Sequence, residues 1–253
     1  MSTTEISGAT ALVTGASRGF GRAIATSLTK AGATVVGVAR DRDQLERVHD
    51  ELGDSFIPVA ADAADPVTAG LLIDAHRPTI LVLNAGAAPL ARPLHQHTWE
   101  TFSQNWEVDV RHAFHWLREA LLKPLAPGST VVTVSSGAAL QGSPLSGGYA
   151  GAKAAIRFIT SYAADESERA DLGITFRCVL PRLTPATELG SAAVAAYAAR
   201  QGVSVEEYLT EFGPTLTTEQ AGEAISALIS EPGYDQAAYL LTAAGLSPAP
   251  ARA

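Results

Sequence analysis

Thr14-Gly15-Ala16-Ser17-Arg18-Gly19-Phe20-Gly21 lies between a short apolar run, residues 9–14, and a helical stretch reaching about Ala31. The glycines, spaced G-x-x-x-G-x-G, let the backbone turn sharply and approach a bulky anion closely. A helix that starts directly after such a turn offers free N–H groups and the positive end of its dipole. Strand, glycine turn and helix in this order predict a pyrophosphate site made by Gly15, Ser17, Arg18, Gly19, Phe20 and Gly21. The spacing is one residue longer at its start than the common dinucleotide fingerprint.

Outward from this turn the chain keeps alternating. Runs rich in β-branched residues at 34–39, 56–60, 79–83, 130–134, 174–180 and 238–242 read as strands two to seven. Helical patterns at 43–52, 98–122, 149–167 and 217–230 fall between them. The strands are apolar almost throughout, so both faces of the sheet must be covered. The fold class expected is α/β, a Rossmann-like doubly wound parallel seven-stranded sheet with helices on both faces. Neither a repeat nor a linker interrupts the pattern. Residues 1–253 therefore read as a single dinucleotide-binding and catalytic domain, with residues 187–213 inserted after strand six as a substrate-covering lid.

Composition narrows the function. The 253 residues are 47% hydrophobic and 17% charged, which suits one globular domain with a large core. A net charge of -8, with no Lys/Arg cluster to offset it, argues against nucleic acid and against anionic membranes as partners. No apolar run approaches the roughly 18–20 residues that span a bilayer. Residues 1–8 lack the basic-then-apolar pattern of a secretory signal, so a cytoplasmic location is expected. Cys178 is the single cysteine, which rules out an intramolecular disulfide and a cysteine-based zinc site. His95, His97, His112 and His115 have no acidic or cysteine partners at ligand spacing. They read as loop and helix-surface residues, and no metal is expected.

The second strand ends at Ala39-Arg40, about 20 residues beyond the turn. A site preferring NAD(H) usually places an Asp or Glu there to bind the ribose 2′-hydroxyl. Here the position holds Ala39, followed by a guanidinium, with Asp41 the nearest acid. Arg40, with help from Arg18, suits a 2′-phosphate through charge-assisted bonds, so NADP(H) is the expected cofactor.

Asn84-Ala85-Gly86 closes strand four, and Tyr149-Ala150-Gly151-Ala152-Lys153 opens a helix. With the glycine turn, these residues make the chain resemble the short-chain dehydrogenase/reductase (SDR) family, in its single-domain branch. The resemblance spans residues 9–242. It implies an oxidoreductase interconverting a ketone or aldehyde and an alcohol by hydride transfer. Tyr149 would be the general acid/base, Lys153 its partner and holder of the ribose hydroxyls, and Ser136 the group that polarises the substrate oxygen.

Elementary chemistry supports those roles. Tyr149 and Lys153, four residues apart, share one face of a helix. A free phenol titrates near ~10 and a free lysine near ~10.4, so neither works at neutral pH unaided. An ammonium beside a phenol favours the phenolate. Ser136 ends strand five, and its neighbour Ser135 points to the other face of that strand. The resemblance further assigns Asp62 and Ala63 to adenine, and Asn84, Ala85 and Gly86 to the wall of the cofactor site.

Two segments depart from the family pattern. Asp109 stands where an asparagine is usual, and it is expected to act on the charge of Lys153. After strand six, Pro181-Arg182-Leu183-Thr184-Pro185-Ala186-Thr187 replaces the usual glycine with Arg182. Pro181 and Thr184 are assigned to the cofactor, with Thr187 as the other candidate threonine. Arg182 either faces solvent or a neighbouring subunit, or reads an anionic substrate. Tyr197, Tyr208, Leu209 and Phe212 give the lid an apolar, aromatic character. The family resemblance also implies a homo-oligomer, a tetramer or dimer, with the small-residue face of helix 149–167 as a contact. The rival reading is a catalytically silent NADP-binding sensor or scaffold of the same fold.

Overall fold

Each strand is a run of aliphatic residues whose side chains alternate between two apolar layers, as the period of two requires. In the computed structural model, which describes residues 3–250, eight strands form one sheet. The first two and last three positions of the expected domain lie outside the described residues. The strands are β1 (Thr10–Thr14), β2 (Thr34–Ala39), β3 (Phe56–Ala60), β4 (Ile80–Leu83), β5 (Thr130–Val134), β6 (Thr175–Pro181), β7 (Ala238–Thr242) and β8 (Gly245–Pro248). Their order is β3-β2-β1-β4-β5-β6-β7-β8. β1 to β7 are parallel.

The eighth strand corrects the expected count of seven. β8 runs antiparallel to β7, with Thr242 opposite Gly245 and only Ala243 and Ala244 between them. A two-residue turn is enough to join antiparallel neighbours.

The helices are α1 (Gly19–Lys30), α2 (Arg42–Leu52), α3 (Thr68–His76), α4 (Trp99–Asn105), α5 (Arg111–Leu122), α6 (Ala138–Gln141), α7 (Tyr149–Arg169), α8 (Glu188–Gln201), α9 (Val205–Phe212) and α10 (Thr218–Ser230). α1, α2 and α10 cover one face, where Val13, Val35 and Val179 meet Ile24, Leu45 and Leu228. α3, α5 and α7 cover the other, where Leu12, Val36 and Leu81 meet Ile73, Trp116 and Ala163. Ala11 and Val13 therefore face one core while Leu12 faces the other. Among the described residues, no helix is long and apolar enough to cross a membrane.

Two features place the site. β1 and β4 are neighbours although the chain leaves β1 toward β3 on one side and returns to β4 on the other. At such a reversal the helices diverge, and a crevice opens outside the carboxyl ends of the strands. The helix expected over 98–122 is interrupted by a five-residue π-helical turn, Trp106–Val110. That wider turn carries Asp109 at its inner face, where it is wholly buried.

Candidate active site

The glycine turn has the shape its sequence predicts. Gly15 and Gly19 adopt φ values of 69° and 55°, in the left-handed region that disfavours side chains. At Gly21 a Cβ would fall 2.0 Å from the Gly15 carbonyl oxygen, so no larger residue fits. α1 begins without a side-chain cap. α2, α8, α9 and α10 are each capped by a side chain, from Asp41, Thr187, Ser204 and Thr217. The first N–H groups of α1 are thus left for an anion, and these residues fit a dinucleotide diphosphate.

The end of β1 is tied to the end of β4. Thr14 Oγ1 accepts from the Asn84 and Ala85 backbone N–H groups at 3.0 and 3.1 Å. Asn84 Nδ2 donates to the Thr14 carbonyl at 3.1 Å. Asn84, Ala85 and Gly86 therefore stand beside the turn, held by a buried threonine that the sequence reading did not single out. A buried hydroxyl between two apolar strands, with no apolar role of its own, was the available signal.

Arg40 is exposed at the end of β2, and no carboxylate among the described residues pairs with it. Asp41 is occupied elsewhere, its carboxylate accepting from Gln44 N at 3.0 Å to cap α2. Arg18 behaves differently. Its Nη1 lies 2.5 Å from Glu188 Oε2, so the glycine turn is tied to the start of α8. Asp62 closes its own turn through Ala64 N at 2.9 Å. Ala63 is buried and accepts from Trp116 Nε1 at 2.9 Å.

Across the crevice, β5 and α7 bring four polar residues together. Ser135 points inward and donates from Oγ to the Lys153 carbonyl at 2.7 Å. Ser136 points to the crevice side, and its Oγ accepts from Ala138 N at 3.2 Å, which leaves its own proton free to donate. Lys153 is buried, with Nζ 5.5 Å from the Tyr149 ring centroid and 3.3 Å from the Val134 carbonyl. Asp109 Oδ2 lies 3.3 Å from Lys153 Nζ, an ion pair without hydrogen-bond alignment. The other oxygen, Oδ1, accepts from Ala87 N at 2.7 Å. Burial disfavours the Lys153 ammonium, but Asp109 and the Tyr149 phenol outweigh it, and the net shift of its pKa is upward.

The start of α7 is fixed by close backbone contact. At Gly148 a Cβ would meet the Phe102 carbonyl at 2.0 Å, and at Gly147, φ 52°, it would meet the His97 ring. His97 itself bridges Thr101 Oγ1 and the Arg92 carbonyl, both at 3.2 Å. Tyr149, the first residue of α7, thus follows two glycines that no side chain can replace.

One residue differs from expectation. His112 is buried rather than on the helix surface, 2% exposed, and its Nε2 has no hydrogen-bond partner. Burial, with the Lys153 charge nearby, lowers its pKa to about 3, so it is neutral. The Thr184 side chain is buried, its Oγ1 donating to the Leu216 carbonyl and accepting from Ala186 N. Thr187 is the threonine that reaches the turn, its methyl 3.5 Å from where a Gly19 side chain would begin. Arg182 is exposed, as the first of its two expected courses has it. Its guanidinium lies 4.1 Å from the Phe212 ring centroid, and Nη2 donates to the Phe212 carbonyl at 3.0 Å. Pro181 ends β6 buried, its carbonyl accepting from Gly137 N at 2.8 Å. Cys178 is buried, and burial pushes its thiol up to about 11, which makes it inert.

Comparison with known proteins agrees with this geometry. The profile of the short chain dehydrogenase family matches residues 9–198. Versicolorin reductase 1 of Aspergillus parasiticus is 34% identical over 187 residues, 70% of each chain. Dehydrogenase/reductase SDR family member 1 of Homo sapiens is 30% identical over 243 residues, 90% of this chain and 76% of its own. Among solved structures, 3-ketoacyl-(acyl-carrier-protein) reductase of Brucella melitensis, complexed with NADH, superposes with a TM-score of 0.78 at 25% identity. That match covers 94% of this chain and 98% of the other. L-Sorbose reductase of Gluconobacter frateurii, complexed with NADPH and L-sorbose, gives the same TM-score and identity over 96% and 98%. By profile, by sequence and by fold, the chain belongs to the short-chain dehydrogenase family and is an oxidoreductase.

Proposed function

We propose that the protein interconverts a ketone or aldehyde and an alcohol, using NADP(H) in preference to NAD(H). The observation that carries the reading is the Tyr149 phenol with the Lys153 ammonium 5.5 Å from its ring, in a fold whose α1 starts uncapped after the glycine turn. When bound, the nicotinamide nucleotide supplies or accepts the hydride. Tyr149 gives its proton to the carbonyl oxygen during reduction and takes one from the alcohol during oxidation. Ser136 donates to the same oxygen and orients it, since its own acceptor site is already filled by Ala138 N. Lys153 favours the phenolate through its charge and binds the ribose hydroxyls. Asp109 touches no substrate atom in this scheme. It positions Lys153 and offsets its charge.

Gly15, Ser17, Arg18, Gly19, Phe20 and Gly21 would hold the diphosphate, and Arg40 the 2′-phosphate. Asp62 and Ala63 would border the adenine, and Asn84, Ala85, Gly86 and Pro181 the remainder. The preference for NADP(H) is supported by an unpaired Arg40 beside an Asp41 already spent on capping α2. The reductase names of the relatives favour reduction as the working direction. Residues 187–213 serve as the lid of the substrate cavity. We also assign the protein to the cytoplasm as a homo-oligomer, a tetramer or dimer, with Phe114 of α5 and Tyr162 of α7, both half exposed, on its contact face.

The test is NADPH oxidation over a panel of ketones, aldehydes and quinones, with NADH as the comparison. Turnover with NADPH, lost in Tyr149→Phe, is expected. A folded, nucleotide-binding protein that turns over none of them is the silent module instead.

A further inference from the structure

A cavity of about 60 Å³ lies between the loop after β4, the segment before α7 and the lid helix α8, and Ser146, whose carbonyl holds Tyr149 N, is in its wall. Pro89, Leu145, Leu189 and Ala193 give it apolar walls, and no charged side chain lines it. Only two lining side chains are polar, Ser146 and Tyr197. Ser146 is already committed, since its Oγ donates to the Ser143 carbonyl at 3.3 Å and its own carbonyl accepts from Tyr149 N. The Tyr197 hydroxyl makes no hydrogen bond among the described residues. Tyr197 is close enough to Tyr149 for the two phenols to influence each other electrostatically.

The Tyr197 ring is also held in place. It stacks on Tyr208 at 6.3 Å and 11°, and Tyr208 stacks on Phe212 at 6.0 Å and 22°. Phe212 in turn carries the Arg182 guanidinium. A four-member stack thus runs from the end of β6 to the cavity wall and holds the Tyr197 ring at a fixed place. Arg182 sits at the far end of the stack and is not among the residues that line the cavity.

We infer that Tyr197 is a specificity-determining residue, and that the substrate is a neutral, largely apolar carbonyl compound carrying a second oxygen that hydrogen-bonds the Tyr197 hydroxyl. This rests on the reductase reading above. Tyr149 and Ser136 take the reacting oxygen, the alanine-lined wall takes the apolar body, and Tyr197 takes the distal oxygen. A substrate that fills the cavity takes water from the half-buried Tyr197 hydroxyl, and leaving it then unmatched is costly, so ketones without the second oxygen bind less well.

Binding and turnover test it separately. The protein saturated with NADP⁺ is titrated calorimetrically with acetophenone and with its 3′- and 4′-hydroxy derivatives, for wild type and Tyr197→Phe. Phenylalanine keeps the ring stack and removes only the oxygen. Wild type is expected to prefer at least one hydroxylated ketone by roughly five- to tenfold, the strength of one neutral hydrogen bond. Tyr197→Phe loses that preference while binding acetophenone as wild type does. A preference that is absent in wild type, or that survives in Tyr197→Phe, overturns the inference. NADPH oxidation on the same ketones reads the other question. Preference without turnover sinks the reductase reading and leaves the subsite, whereas turnover indifferent to Tyr197 does the reverse.

Discussion

Asp109→Asn tests how a buried ion pair tunes a neighbouring acid. The substitution keeps size and shape, and an amide carbonyl still accepts from Ala87 N. It removes one charge 3.3 Å from Lys153 Nζ, where Asp109 is 0% and Lys153 6% exposed. At an effective dielectric of about 20 the gross attraction across that distance is roughly 5 kcal/mol. Desolvation offsets part of it, and breaking one side of a buried pair typically costs about 3–5 kcal/mol. The thermal midpoint should therefore fall by roughly 10 °C. The kinetic effect has a definite sign. In wild type the carboxylate offsets the ammonium that faces Tyr149, and in the variant the ammonium acts alone. At 5.5 Å and the same dielectric its pull on a phenolate is roughly 3 kcal/mol, of which the carboxylate cancelled a part. About 1.4 kcal/mol corresponds to one pH unit. The ascending limb of kcat/KM for alcohol oxidation should move toward acid by on the order of one pH unit. The assay is a pH–rate profile from about pH 6 to about pH 10, bracketing a free tyrosine. Superimposable profiles, or a displacement toward alkali, would refute the proposed action of Asp109 on Lys153.

Gly21→Ala puts a methyl group 2.0 Å from the Gly15 carbonyl, so the turn must open. NADPH affinity, read by fluorescence titration, should drop by roughly tenfold or more, and an unchanged affinity would mean the turn does not hold the nucleotide. Arg40→Ala should weaken NADPH by roughly tenfold or more, the loss of a charge-assisted bond, and leave NADH nearly untouched. Equal losses for both nucleotides would assign Arg40 to the shared part of the cofactor. His112 is neutral in the fold down to about pH 3, whereas the unfolded side chain titrates at 6.5. Its contribution to stability is complete above pH 6.5 and is lost as pH falls from 6.5 toward 3, at up to about 1.4 kcal/mol per pH unit. In His112→Leu the thermal midpoint should fall less steeply over that range, and parallel slopes would discount the linkage.

The sequence disclosed most of the fold because strands buried on both faces leave long aliphatic runs. The bounds of β2, β3, β5 and β7 coincide with the expected ones. Where pattern was thin, elements went unread. α3 starts at Thr68 after Val67, which gives no side-chain cap, and β8 is four residues ending in Pro248. The π-helical turn was hidden inside a helix whose apolar spacing looked continuous. At the site, the glycine turn, Ser136, Tyr149, Lys153 and Asp109 were legible because each sits at a fixed offset from a strand or helix end. The partners were not. Glu188 lies 170 residues from Arg18, and Phe212 lies 30 from Arg182, distances over which local pattern carries no information. The partners of Pro181–Thr187 were illegible too, since the Leu216 carbonyl that takes the Thr184 hydroxyl lies 32 residues away. His112 read as a surface residue because polarity alone does not reveal which face of α5 is covered.

The tether between Arg18 and Glu188 bears on how the glycine turn and α8 part. Both side chains are mostly in water, at 65% and 77% exposure, so the pair is worth under about 1 kcal/mol. An incoming phosphate therefore wins the guanidinium cheaply, and the carboxylate at the head of α8 is released in the same event. If the proposed nucleotide lands on Arg18, the glycine turn and α8 part without a dedicated hinge, because one cation has two claimants.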